Sequence, residues 1–91
     1  MITPQTLLWH ELIGLAVSVV KAGNPAYVGI SGRIVDETRN MLVILTPSGT
    51  KMVEKKGCVF LFTLPGGVRA EVDGSALVAR PEKRISMRNK R

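Results

Sequence analysis

The sequence predicts a mainly all-β domain: a small, strongly bent antiparallel barrel of about six or seven strands, with short helical segments at both ends. Three observations carry this. Apolar residues fall in short runs that alternate with period two, Gly and Pro turns separate the runs, and Gly29 and Gly32 interrupt one run where a strand would bend or bulge. Short strands at regular spacing suit a sandwich or a barrel, and 91 residues are few for two stacked sheets. Closing the sheet on itself would also remove the unpaired edges that invite aggregation.

The elements follow in chain order. Thr3 and Pro4 open a helix: a hydroxyl cap, then a proline in the first turn, where its missing N–H costs nothing. Leu7, Leu8, Glu11 and Leu12 keep helical spacing, and Gly14 can end the helix at positive φ. The β-branched run LAVSVVKA (15–22) is a strand that stops at the turn GNP. In YVGISGRIVDE (27–37), Val28, Ile30, Gly32 and Ile34 lie on one side, and Tyr27, Ser31, Arg33 and Val35 on the other. Further strands are expected at MLVILT (41–46), TKMVE (50–54), CVFLFTL (58–64) and VRAEV (68–72). Asp73-Gly74 reads as a tight turn into a last short strand, ALVA (76–79), and RPEKRI (80–85) as a closing helical turn. The residues expected to face inward are Val28, Ile30, Ile34, Leu42, Ile44, Val59, Leu61, Val68, Ala70 and Val72.

The chain is one domain, residues 1–85, with a basic C-terminal tail at 86–91. Its net charge of +6 is unevenly placed. From Arg80 onward there are six basic residues and one acid, Glu82, whereas residues 1–79 hold seven basic and six acidic ones. A nearly neutral body with a basic end points to a polyanionic partner. No apolar run is long enough to cross a bilayer, and no basic region precedes the first apolar residues as a signal peptide requires, so no membrane partner is expected. The single Cys58 cannot form an internal disulfide and fits a reducing compartment, so a cytoplasmic location is expected.

Catalytic chemistry finds little support. His10 is the only histidine, which excludes a His cluster for a catalytic metal. Cys58 lies within an apolar run and reads as a buried, inert thiol. Asp36 and Glu37 are adjacent at a strand end, so they point to opposite faces and are poorly placed to share one proton or one metal. No glycine pattern matches a phosphate loop with its lysine. Binding is the remaining role, and the body offers Arg33, Arg39, Lys51, Lys55, Lys56 and Arg69 for it, beside the basic end.

Four segments, HELIGL (10–15), GISGRIVDETRNMLVI (29–44), KKGCVFLFTLPGG (55–67) and VDGSALVARPEKRI (72–85), resemble the archaeal ribonuclease P protein component 1 family, across about residues 2–85. The resemblance implies an Sm-like fold, a bent antiparallel barrel, and a non-catalytic subunit of an enzyme that removes the 5′ leader from precursor tRNA. It implies that the catalytic magnesium ions sit on the RNA subunit, with no cofactor on this chain. The implied partners are ribonuclease P RNA and a zinc-ribbon protein subunit, with precursor tRNA engaged indirectly. On this reading Arg33, Lys51, Lys55, Lys56, Arg80, Lys83, Arg84 and Arg88 contact RNA, and Leu7, Leu8, Trp9 and Ile85 contact the protein partner. The alternative is an Sm-like protein-interaction module without direct RNA contact.

Overall fold

The computed structural model describes residues 12–78, so the expected N-terminal helix and the basic end lie outside the described residues. Six strands form one antiparallel sheet: β1 (Ala16–Ala22), β2 (Ser31–Glu37), β3 (Met41–Thr46), β4 (Gly49–Glu54), β5 (Cys58–Thr63) and β6 (Arg69–Asp73). Their spatial order is β4-β3-β2-β1-β5-β6. Hairpins join β2 to β3, β3 to β4 and β5 to β6, as the turn chemistry of the sequence implies. Of the two remaining pairs, β1 lies against β2 from Ala16↔Arg33 to Ser18↔Ser31, and β5 returns to lie beside β1 from Ala16↔Thr63 to Ala22↔Cys58.

Three of the sequence expectations about the backbone are corrected. The sheet is open: β4 and β6 are its two edges, and among the described residues no ladder joins them. The seventh strand does not form within the described residues either, because Gly74–Leu77 is a 3-10 helix instead. Asp73 caps it, accepting from the backbone N–H of Ser75 at 3.0 Å and from its hydroxyl at 2.9 Å. Those bonds hold the Asp73 carboxyl below the usual carboxylate range, the backbone bond first. A second 3-10 turn, Pro25–Tyr27, replaces the expected start of β2, which begins only at Ser31.

One face of the bent sheet encloses the core. Val17 and Val19 from β1, Ile34 from β2, Leu42 and Ile44 from β3, and Val53 from β4 meet Cys58, Phe60, Phe62 and Ala70 from β5 and β6. Leu12, Leu15, Leu64 and Leu77 close its ends. With so few aromatics, the Phe60–Phe62 pair, ring centroids 6.2 Å apart, supplies much of the bulk. Ile34, Leu42, Ile44 and Ala70 face inward as expected, and Ile30 and Val72 pack against the core from its margin. Val28 and Val68 do not, each being 51% exposed. In β5 the alternation is shifted by one residue, so Cys58, Phe60 and Phe62 point inward and Val59 and Leu61 outward.

Two bulges set which residues reach the interior. The register of β1 on β5 slips between Val19 and Lys21, and that of β2 on β3 between Ile34 and Asp36. The extra residues, Val20 and Val35, are turned to solvent, which accounts for two of the exposed valines. The second slip also inverts the alternation beyond it. Ile34 and Glu37, three apart, both face the core, so a carboxylate enters the interior. Gly32 lies on the inner face, where a Cβ would collide with the carbonyl oxygen of Leu45. Only glycine lets those two backbones approach so closely.

Candidate nucleic-acid interface

The β2–β3–β4 meander has two ends of different character. At one end, Lys55 follows directly after β4, and its side chain is fully buried. Its ammonium donates to Glu37 Oε2 at 2.7 Å, and to the carbonyl oxygens of Thr38 at 2.7 Å, Leu77 at 2.9 Å and Arg39 at 3.2 Å. The Glu37 side chain is equally buried. A charge taken out of water is tolerated only when it is paired and fully hydrogen-bonded, and this cage meets both conditions. No buried side-chain nitrogen or oxygen among the described residues lacks a partner.

The backbone reinforces the cage. The Lys55 N–H donates to the Asn40 carbonyl at 2.8 Å, which ties the β2–β3 turn to the end of β4. Within that turn, Thr38 and Met41 bond reciprocally, N–H to carbonyl at 3.0 Å and N–H to hydroxyl at 3.1 Å. Gly74 presses against the Lys55 carbonyl so closely that a Cβ would overlap it, which brings the 3-10 helix onto the same corner. The corner therefore joins the exits of both edge strands, β4 and β6, although no ladder links them among the described residues. Arg39 and Lys56 flank it, both exposed, and the chain leaves from Leu77 and Val78 toward the basic run that begins at Arg80.

At the other end of the meander lies an open concavity of ≈ 710 Å³, lined by Val28, Ile30, Ser31, Thr46, Ser48 and Lys51 among others. Lys51 is exposed there, opposite Ile44 on β3. Arg33 lies on the outer face of the sheet, between Ala16 of β1 and Leu45 of β3, and donates to the Gly14 carbonyl at 2.7 Å. Arg69, exposed on β6, is at the far edge.

The predicted RNA-contacting residues thus separate. Lys56 is at the corner, Lys51 at the concavity and Arg33 on the outer face. Lys55 is corrected outright as a surface contact, because its ammonium is fully engaged by internal acceptors. Arg80, Lys83, Arg84 and Arg88, and the protein-partner candidates Leu7, Leu8, Trp9 and Ile85, lie outside the described residues. Arg39 gains from the structure: its position beside the caged lysine makes it part of a built feature. The signal for the cage was faint, since Glu37 and Lys55 are ordinary charges in sequence and only the bulge turns Glu37 inward.

Among the described residues, no cluster of three or more His, Cys, Asp or Glu is placed to hold a metal, and no helix is long and apolar enough to cross a membrane. Burial raises the Cys58 thiol above its ordinary value, with the nearby Glu54 carboxylate adding to the effect.

The family described as Ribonuclease P/MRP, subunit p29, matches residues 5–87. The chain belongs to that family. Ribonuclease P protein component 1 of Methanocaldococcus jannaschii is 50% identical over 91 residues, covering 99% of this chain and 95% of that protein. The component of the same name from Methanothermobacter thermautotrophicus is 51% identical over 86 residues, covering 93% and 92%. A solved structure of Mth11, described as a homologue of human RNase P protein Rpp29, matches with a TM-score of 0.61 and 52% identity. It covers 84% of this chain and 99% of that one. Membership in the p29 family agrees with the resemblance carried by HELIGL and GISGRIVDETRNMLVI, and the all-β antiparallel sheet agrees with the related structure.

Proposed function

We propose that this p29-family chain is a non-catalytic protein subunit of ribonuclease P that binds the catalytic RNA and supports removal of the 5′ leader from precursor tRNA. The observation that carries the reading is the exposed pair Arg39 and Lys56 at one built corner, in a chain whose residues from Arg80 onward hold a net charge of +5 against +1 for the body. Exposed cations at a fixed corner, in a chain that also carries a strongly basic segment, suit a structured RNA, whose phosphates are recognised by shape and charge more than by sequence. Magnesium for the cleavage step is assigned to the RNA, and this chain contributes affinity and positioning.

A protein contact is part of the same reading. Leu7, Leu8, Trp9 and Ile85 are assigned to a zinc-ribbon subunit. The outer face of β2, β3 and β4 adds exposed apolar area at Val35, Leu45 and Met52, which supports a protein neighbour as well as an RNA one. A purely protein-binding role is the second reading, and it predicts no salt-sensitive affinity for RNA.

The test is reconstitution of the full chain with ribonuclease P RNA and the zinc-ribbon subunit, scored by precursor tRNA cleavage at limiting and saturating protein. Stimulation that depends on the chain is expected. At saturating protein the exposed Asp36→Asn variant should cleave at the wild-type rate. Loss of single-turnover cleavage there, with assembly intact, would assign chemistry to the chain and overturn the proposal.

A further inference from the structure

We infer that buried Lys55 is a positioning residue for an RNA-phosphate contact made by Arg39 and Lys56. The inference rests on the RNA-binding reading above and adds a mechanism to it. Burying an ion pair is costly, and well-packed apolar residues in place of both partners serve stability at least as well in many proteins. What the ammonium does here, and an apolar side chain cannot, is grip three carbonyl oxygens that belong to separate segments. Thr38 and Arg39 come from the β2–β3 turn, and Leu77 from the end of the 3-10 helix. Glu37 supplies the countercharge from the end of β2.

Each grip fixes something that matters at the surface. Holding the Arg39 carbonyl sets the backbone from which the Arg39 guanidinium projects. Lys56 is the next residue after the caged lysine, and the Lys55 N–H to Asn40 bond holds the two turns in register. The exposed pair is therefore displayed from backbone that converges on one buried ammonium. Preorganising two cations lowers the ordering cost that each long side chain and its turn would otherwise meet on binding. The Leu77 bond extends the same control to the point where the chain departs toward Arg80.

The experiment is a mutant cycle on RNA affinity with the full-length chain and a ribonuclease P RNA transcript, measured across a range of salt. Arg39→Ala with Lys56→Ala should flatten the slope of log K against log salt by about 1.4–1.8, at roughly 0.7–0.9 for each phosphate no longer neutralised. Lys55→Met should flatten it comparably, though it removes no exposed charge. In the Arg39→Ala/Lys56→Ala background, Lys55→Met should add little. Arg69→Ala, at the far edge, serves as the control and should leave the corner's contribution intact. Glu37→Leu combined with Lys55→Met leaves no unpaired buried charge and provides a second route if Lys55→Met folds poorly; it should flatten the slope in the same direction and lose that effect in the same background.

A merely structural Lys55 gives a different pattern. Its replacement would lower affinity through the folded fraction alone, leave the salt slope unchanged, and cost as much with Arg39 and Lys56 removed as with them present. That pattern overturns the inference while the RNA-binding reading stands. Salt-insensitive binding by the wild-type chain overturns the reading itself and the inference with it.

Discussion

The Lys55 ammonium and the Glu37 carboxylate meet at 2.7 Å with both side chains fully buried, at the corner where both edge strands of the open sheet end. Removing one partner would leave an uncompensated charge inside. Glu37→Gln should therefore destabilise the chain by about 3–5 kcal/mol, far above the typical effect of an exposed pair. Urea unfolding of the two proteins measures it. A midpoint within error of wild type would show that the pair is solvated in solution.

The close approach of Gly32 to Leu45 is a second point of sensitivity. A β-branched side chain there meets the Leu45 carbonyl and the Ile44 side chain, so β2 and β3 must separate. Gly32→Val should cost at least about 1–3 kcal/mol, as overpacking of a filled site does. Unchanged thermal unfolding would contradict the close approach.

Core and surface valines and isoleucines should separate cleanly. Ile34→Ala, at a fully enclosed position, should cost about 2–5 kcal/mol. Val28→Ala and Val68→Ala should stay within about 0.5 kcal/mol, because both side chains are half in water. Equal losses at all three positions would contradict the assigned faces.

These contrasts also mark what the sequence made legible. Turn chemistry and period-two alternation located the six described strands to within a few residues, and β3 at its observed bounds, because each hairpin is specified locally. What escaped was parity. The slips at Val20 and Val35 each insert a residue that no local pattern announces, and the second decides that Glu37 faces inward. In β5 every residue from Cys58 to Phe62 is apolar, so alternation gave no choice of face, and volume settled it in favour of the two phenylalanines. The last predicted strand failed for another reason: Asp73 caps a 3-10 helix instead of starting a hairpin turn. For the candidate site, charge in sequence identified Lys51, Lys56 and Arg33 as exposed, but it cannot separate Lys55 from Lys56, which differ only by the face they take.

Cys58 should be a quiet thiol. Its pKa lies above the ordinary thiol value, so in the folded chain the thiolate fraction near neutral pH falls below that of a free cysteine. The shift favours the folded state fully while the unfolded thiol is still protonated, and this contribution fades as pH rises through the folded value. Alkylation by a maleimide at neutral pH should be slow until denaturant is added. Rapid labelling of the folded protein would contradict the burial.

The central claim, that this chain engages ribonuclease P RNA through charge, is tested most directly by the salt dependence of its RNA affinity. Full-length protein and the same protein lacking residues 80–91 would be titrated onto ribonuclease P RNA at several salt concentrations. The account predicts a linear fall of log K with log salt for the full chain, and, without the basic run, a slope flatter by roughly 0.7–0.9 for each phosphate that run neutralises. Equal affinities and equal slopes for the two proteins, or an affinity indifferent to salt, would contradict it.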